Sequence, residues 1–176
     1  MSDWIVKGKV WKFGDFVNSE SISPSRYNDM DVKERVKHCL ENLDHEFPRN
    51  VQPNDIIVAG RAFGGSSGRP QAPLTLKGAG VGAILVESYG RVFYRNAINS
   101  ALPVFEIPDI TRKIDKGDEV EVNVTTGDVK DITKGVIMHG QPPGGIPLEI
   151  MQKGGLLSWI KARRHLYKTL EPQQGT

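Results

Sequence analysis

The sequence predicts a single α/β domain, a sheet with a parallel core, a smaller antiparallel layer and flanking helices. Three observations support this prediction. Short apolar runs alternate with segments of helical spacing in the middle of the chain, a later stretch alternates apolar and polar residues, and a length of 176 residues suits one domain. Parallel strands are buried on both faces and give continuous apolar runs, whereas half-buried strands alternate.

The first predicted element is a strand over residues 4–13, where apolar and polar side chains roughly alternate. Residues 14–27 are rich in turn formers and predict a loop. A helix is predicted over residues 31–47, with Asp29 or Asp31 as its cap. Its apolar positions recur with helical spacing, at Val32, Val36, Leu40 and Leu43.

The centre of the chain predicts two strand–helix–strand units. Buried strands are predicted over residues 56–60, 82–86 and 103–107. Residues 70–80 predict a helix that begins at a proline and ends at a glycine, and residues 89–100 predict a second helix. This alternation favours parallel pairing of the three strands.

The C-terminal part predicts a solvated antiparallel hairpin. Residues 119–124 alternate and are followed by a turn at residues 126–128, and residues 133–140 continue the hairpin. A short helix is predicted over residues 148–155 and a last, amphipathic helix over residues 156–168.

Composition and charge exclude several classes of protein. Apolar residues make up 38% and charged residues 25%, which excludes a disordered chain, a collagen and a disulfide scaffold. The formal charge of +2 gives no general reason to expect nucleic acid or an anionic membrane as a partner. No apolar run approaches the roughly 18 residues of a membrane span, and residues 1–11 lack the apolar stretch of a signal peptide. We expect one domain over residues 1–170 and a polar tail over residues 171–176.

The cysteine count is the strongest restriction. Cys39 is the single cysteine, so the chain has no internal disulfide and no metal site built from its own cysteines. A cytoplasmic protein fits this count best. The histidines are scattered and none makes a metal-binding spacing with another, so we predict no metal ligands in the chain.

The turn after the second predicted strand is rich in glycine and suits an anion. Gly64, Gly65 and Gly68 precede Arg69, and a helix begins near Pro70. A helix N-terminus presents unpaired N–H groups to anions, and arginine binds carboxylates through two parallel hydrogen bonds. Neither the Walker pattern nor the dinucleotide pattern is present, so a carboxylate is the reasonable ligand. The alternative that this turn binds no ligand and only connects the strand to the helix also remains.

The serines in this turn leave a second possibility open, that of a serine hydrolase. Residues 64–68 match the pattern G-x-S-x-G of the nucleophile elbow, with Ser66 in the serine position. A hydrolase would also need a histidine beside Ser66 or Ser67, and no histidine lies near in sequence. The short, repetitive match supports this reading only weakly.

Three stretches carry a resemblance to a known family. Residues 60–73 compare with the pattern G-x-N-F-G-C-G-S-S-R-E-x-A-P, and residues 88–103 with S-F-x-R-I-F-Y-R-N-A-I-N-x-G-L-P. Residues 14–27 compare with G-D-x-x-D-T-D-x-I-I-P-x-R-Y. The chain thus resembles, over nearly its whole length, the small subunit of 3-isopropylmalate dehydratase, which corresponds to the swivelling domain of aconitase.

The resemblance implies a hydro-lyase that moves a hydroxyl between adjacent carbons of a small dicarboxylate. It places the catalytic serine on Ser67 and the carboxylate-binding arginine on Arg69, with Gly65, Ser66 and Gly68 completing the anion site. We expect Glu20, Arg91, Arg95 and Asn96 as supporting residues. Arg91 and Arg95 either reach the substrate or form ion pairs that support the serine loop, and Asn96 caps or bridges backbone near the site. The resemblance also implies a large subunit that holds a 4Fe–4S cluster, which this chain with one cysteine cannot hold.

Departures from the family pattern leave the substrate open. The family glutamate is replaced by Pro70, and the cysteine by Gly65. The segment after Tyr27, which in the family reads the substrate side chain, is NDMDVKER in place of the usual leucine-containing form. Citramalate, dimethylmalate or homocitrate are therefore alternatives to isopropylmalate, and a subunit that binds a carboxylate without catalysis is a further alternative.

Overall fold

The computed structural model describes residues 3–66 and 68–163. Within them, seven strands form one sheet in the order β4-β3-β2-β1-β5-β6-β7. The strands are β1 (Ile5–Lys12), β2 (Ile56–Ala59), β3 (Ala83–Val86), β4 (Val104–Glu106), β5 (Glu119–Asn123), β6 (Asp128–Asp131) and β7 (Val136–His139). The predicted fold class is confirmed.

The parallel half of the sheet consists of β1 to β4. Val10 pairs with Ile56, Ile57 with Ile84, and Ile84 with Val104. Strands β2 and β3 are buried on both faces, as their continuous apolar runs predict, whereas β1 is buried only at Val6 and Val10. The antiparallel half continues the same sheet from β1, which pairs with β5, and the hairpin strands follow as predicted.

Helices cover both faces of the parallel half. They are α1 (Ser19–Ile22), α2 (Val32–Arg35), α3 (Phe47–Asn50), α4 (Gln71–Gly78), α5 (Arg91–Asn99), α6 (Ile110–Lys113), α7 (Gly145–Gln152) and α8 (Leu156–Ala162), with 3₁₀ turns at Ser25–Tyr27 and Val36–His38. Alternate strand residues enter two cores, so that Val58 packs with Phe105 on one face while Ile57 packs with Phe47 and Phe63 on the other.

The helix predicted over residues 31–47 is wrong as a continuous element. Asp31 caps α2 as predicted, because its side chain accepts a hydrogen bond from the N–H of Glu34 at 3.0 Å. The chain then leaves the helix after a 3₁₀ turn. Leu40 adopts a left-handed φ of 56°, and its N–H bonds to the carbonyl of Ile22 at 3.1 Å. Tertiary packing of the buried Leu40 thus overrides the apolar spacing.

Other elements differ less from the prediction. The predicted loop over residues 14–27 contains α1 and a 3₁₀ turn, and α7 begins at Gly145, before residue 148. The last helix is described to Ala162, and its predicted continuation to residue 168 and the tail over residues 171–176 lie outside the described residues. In the described part of the chain, no helix is both long and apolar enough to cross a membrane.

Candidate active site

Residues 61–65, the first part of the glycine-rich turn after β2, are hydrogen-bonded to the segment that follows β1. The N–H of Phe16 donates to the carbonyl of Arg61 at 2.8 Å, and the N–H of Gly64 donates to the carbonyl of Val17 at 2.7 Å. The N–H of Ser19 donates to the carbonyl of Gly65 at 3.1 Å. Asp15 adds a salt bridge of 2.8 Å to Arg61. The two segments therefore present one continuous surface at the carboxyl end of β2, where open α/β sheets bind their ligands.

A polar cavity of about 210 Å³ opens at this surface. One carboxylate, one guanidinium, three hydroxyls and two amides surround it. Its lining residues are Ser19, Glu20, Ser23, Asn28, Ser66, Arg69, Gln71 and Ala72. The composition suits a small polar acid rather than an apolar ligand.

Glu20 and Arg69 give the cavity one charge of each sign. Hydrogen bonds to Glu20 from the backbone N–H of Ser25 at 2.9 Å and from its hydroxyl at 3.1 Å hold the pKa of this carboxyl below its ordinary value. The positive charge of Arg69 lowers the pKa of Glu20 further. Helix α4 begins at Gln71, beside Arg69, so the positive end of its dipole adds to the guanidinium. Arg69 is exposed and can reach a carboxylate.

Two of the three hydroxyls of the cavity, those of Ser19 and Ser23, are already engaged on its inner side. Ser19 Oγ lies 3.1 Å from the carbonyl of Gly64 and 3.2 Å from that of Gly65, and it donates to this pair. Ser23 Oγ accepts a hydrogen bond from Thr75 on α4 at 3.1 Å. These contacts fix the wall formed by residues 19–23 against the glycine turn and α4.

The opposite side of the glycine turn forms a second hollow, of about 320 Å³. Gly65, Ser66, Gly68 and Arg91 line it, together with other residues of the turn and the start of α5. Asn96 supports the turn directly, because its Nδ2 donates to the carbonyl of Gly68 at 3.0 Å. Arg95 is exposed farther along α5 and lines neither hollow.

The structure thus brings together Glu20, Ser66 and Arg69 among the residues that the sequence predicted. Ser67 lies outside the described residues, between two neighbours that line the hollows. Of the histidines that the structure describes, none lines either hollow, which removes the support for a serine hydrolase.

Sequence reasoning did not assign Ser19, Ser23 or Gln71 to the site. The altered segment after Tyr27 was identified, but its contact residue was not, and the structure places Asn28 in the cavity wall. The signal for Ser19 was its position in the first motif, next to Glu20. Ser23 enters through the packing of α1 against α4, which no local pattern reveals.

The described residues do not suit an iron–sulfur cluster. Cys39 is fully buried, and burial raises the pKa of its thiol far above the ordinary value, which disfavours the thiolate needed for ligation. Over residues 3–66 and 68–163, no group of three or more histidine, cysteine, aspartate or glutamate side chains could hold a metal ion.

Comparison with known proteins identifies the family of the chain. The model of the aconitase C-terminal domain family matches residues 16–109. A 3-isopropylmalate dehydratase small subunit from Thermodesulfovibrio yellowstonii is 44% identical over 90% of this chain and 95% of its own. An isopropylmalate/citramalate isomerase small subunit from Methanocaldococcus jannaschii is also 44% identical, over 90% and 95% of the two chains. The crystal structure of a 3-isopropylmalate dehydratase from the same organism superposes with a TM-score of 0.88 at 35% identity, covering 96% of this chain and all of that chain.

The fold and the polar cavity beside the glycine turn define an α/β domain of the aconitase C-terminal type. Within that class, this chain aligns with almost the full length of each relative named above. The chain belongs to the family of 3-isopropylmalate dehydratase small subunits.

Proposed function

We propose that the chain is the small subunit of an iron–sulfur-dependent hydro-lyase that isomerises or dehydrates a 2-substituted malate, with 3-isopropylmalate as its first candidate. The observation that carries this proposal is the cavity that pairs Arg69 with Glu20 beside the glycine turn. The names of the relatives support the reaction class. Leucine biosynthesis is the pathway in which an isopropylmalate dehydratase acts.

In this proposal Ser67 is the base. As an alkoxide, its Oγ takes the proton from the carbon next to a substrate carboxylate, and the C–H electron pair becomes the second bond of a carbon–carbon double bond. The hydroxyl on the neighbouring carbon leaves with its bonding electrons and becomes water on gaining a proton. Addition of water in the other orientation moves the hydroxyl to the adjacent carbon.

Arg69 holds the substrate in place and stabilises the alkoxide. Its guanidinium clamps a carboxylate through two parallel hydrogen bonds, and its charge favours the anionic form of the neighbouring Ser67. Backbone N–H groups around Gly68 complete the anion site, which Asn96 steadies through the Gly68 carbonyl. Gly65 and Ser66 shape the turn, while Arg91 and Arg95 add positive charge on α5.

A second candidate substrate rests on Asn28. Its position in the cavity wall gives the segment that should meet the substrate side chain a polar amide. Asn28 is half-buried, and a substrate that covers its amide without a hydrogen bond leaves the amide unpaired. A side chain with a hydrogen-bonding group is therefore favoured over isopropyl. Homocitrate offers such a group, and citramalate offers a smaller side chain that leaves room for water.

The partner in this proposal is an iron–sulfur large subunit, in a cytoplasmic complex. It would cover the cavity from the side of Phe16, whose ring is 69% exposed. Phe16 also adopts a left-handed φ of 59°, which costs a residue with a side chain about 1–2 kcal/mol. A strained backbone that presents an exposed aromatic ring fits a contact with another protein better than a role in this core.

The contact is tested by two asparagine variants of exposed apolar residues. Phe16→Asn should stabilise the isolated chain by about 1 kcal/mol, because asparagine tolerates the left-handed region, and should weaken binding of the large subunit about tenfold or more. Ile137→Asn is the matched control, because Ile137 is 73% exposed on β7, at the far edge of the sheet. Equal affinities of the two variants would exclude Phe16 from the interface.

The reaction is tested with the reconstituted complex of both subunits. Formation of the unsaturated acid is followed by absorbance with isopropylmalate, citramalate, dimethylmalate and homocitrate as substrates. Ser67→Ala should lower kcat about a thousandfold, whereas Ser158→Ala on the exposed face of α8 should not change it. Full turnover by the Ser67→Ala complex would exclude Ser67 as the base. A complex that binds these acids but turns over none would instead identify a carboxylate-binding module.

A further inference from the structure

The turn over residues 25–28 is held at each of its residues by a side chain from elsewhere in the chain. Glu20 accepts the two hydrogen bonds from Ser25. Glu41 Oε1 accepts hydrogen bonds from Arg26 Nη2 at 2.7 Å and from the hydroxyl of Tyr27 at 3.1 Å. The carbonyl of the last residue, Asn28, accepts a hydrogen bond from a third side chain, that of Arg35. The turn is thus fixed on both flanks just before Asn28 enters the cavity wall.

Glu41 forms hydrogen bonds through both of its carboxylate oxygens. Oε2 lies 2.7 Å from Nδ1 of His38, and the His38 ring stacks on Tyr27 with the ring centroids 3.9 Å apart. Burial opposes ionisation of Glu41, but its hydrogen bonds outweigh burial and hold its pKa below the ordinary value. A charged acceptor makes these bonds short and strong. One carboxylate therefore ties Arg26, Tyr27 and His38 into a single rigid unit.

Arg35 is the third side chain that holds the turn. Its Nη1 donates to the carbonyl of Asn28 at 3.4 Å, and the residue is only 8% exposed. Among the residues that the structure describes, its Nε has no hydrogen-bond partner. Arginine does not lose its proton in proteins, so burial of this charge costs free energy that one long hydrogen bond does not recover. The free-energy cost of burying Arg35 is explained if the position of Asn28 is needed for function rather than for stability.

We propose that Arg35 and Glu41 are positioning residues that set the orientation of Asn28 and so determine which substrate side chain the cavity accepts. The inference rests on the proposed function, because it names the residues that determine which acid the same site prefers. Neither residue lines the cavity, so both act through the turn. The malate part of the substrate, bound at Arg69, is common to all the candidate acids. A shift of Asn28 therefore alters the part of the substrate in which the acids differ.

The expected size of the effect follows from the geometry. A displacement of about 1 Å in a positioning group can lower a rate about a hundredfold. In Glu41→Gln, the amide keeps one acceptor oxygen but offers an N–H₂ group where the carboxylate has its second acceptor. Either Arg26 and Tyr27 lose their acceptor, or His38 faces an N–H₂ group with which it pairs only through an unprotonated Nδ1. In both cases the negative charge that strengthens these hydrogen bonds is removed. We expect kcat/KM for the preferred acid to fall tenfold to a hundredfold, and kcat/KM for the poorer acid to change less than threefold.

The experiment compares two acids in the full two-subunit complex. The ratio of kcat/KM for 3-isopropylmalate to that for citramalate is measured for the wild type, Glu41→Gln, Arg35→Lys and Glu34→Gln. Glu34 is the matched control, because its carboxylate pairs only with exposed Lys37 in the described residues of the same segment. Thermal melting of each complex shows whether it is folded.

The proposal expects the ratio to move toward one in Glu41→Gln and Arg35→Lys and to stay unchanged in Glu34→Gln. Glu41→Gln keeps the test decisive if Arg35→Lys fails to fold. Equal losses for both acids, with the ratio preserved, would show a merely structural role and overturn the inference. A wild-type complex that turns over none of the four candidate acids would instead overturn the proposed function, so the two failures are distinguishable.

Discussion

Replacement of Gly64 by alanine tests how closely the glycine turn is fitted to α5. A Cβ at this position would lie 2.1 Å from Cγ of Phe93 and 2.4 Å from its Cδ2, far inside van der Waals contact. Phe93 is 2% exposed and packs edge-on against Phe63, so its ring cannot move away. Gly64 also has a φ of 71°, which strains alanine in any case. Overpacking costs about 1–3 kcal/mol and the left-handed backbone about 1–2 kcal/mol, which predicts a loss of roughly 2–5 kcal/mol.

The assay for Gly64→Ala is the free energy of unfolding from urea titration of the isolated chain. Gly14→Ala is the matched control on the neighbouring segment, because a Cβ there meets nothing within 4 Å and the backbone is not left-handed. We expect the control to change stability by less than about 1 kcal/mol. If Gly64→Ala lost no more than Gly14→Ala, the close packing of the turn against α5 would be refuted.

Three further predictions follow from single contacts. Cys39 should not react with a thiol reagent in the native chain, because its thiol is fully buried, and should react once denaturant unfolds the chain. Lys134 and Lys12 lower the pKa of Asp115 to about 2, so its stabilising contribution is present above pH 4 and is lost as the pH falls from about 4 to 2. Asp115→Asn should therefore reduce the loss of unfolding free energy between pH 4 and pH 2. The difference from the wild type should be smaller in high salt, because the Lys12–Asp115 pair is exposed. Asn96→Ala should raise KM a fewfold in the reconstituted complex by releasing the Gly68 carbonyl, while melting temperature changes little.

The parallel strands were predictable because their signal is local. A run such as residues 56–59 is buried on both faces and so cannot tolerate polar side chains, and the sequence shows this directly. The helix predicted over residues 31–47 failed for the opposite reason. Its apolar residues satisfy a helical spacing but also satisfy a folded-back segment, in which Leu40 packs under α1 and bonds to Ile22. Only the tertiary contact decides between the two.

The candidate site divides in the same way. Arg69 and Glu20 were predictable because each sits in a motif with a chemical reason for its residue type. Asn28 and Ser23 were not, because they reach the cavity only when residues 19–28 fold against α4. The supporting role of Asn96 was predictable from the sequence, but its contact with the Gly68 carbonyl required coordinates.

Strain around the cavity argues that the site is formed before the substrate arrives. Phe16, Ala62 and Ser66 all adopt left-handed backbones, with φ of 59°, 57° and 70°, although none is glycine. Each costs about 1–2 kcal/mol, and such residues persist only where surrounding contacts determine their conformation. The hydrogen bonds between residues 14–19 and 60–65 supply those contacts. Because residues 60–65 are already held in place, they lose little entropy when a substrate binds. Under the proposed function, more of the free energy of an Arg69–carboxylate contact would therefore go into affinity and orientation.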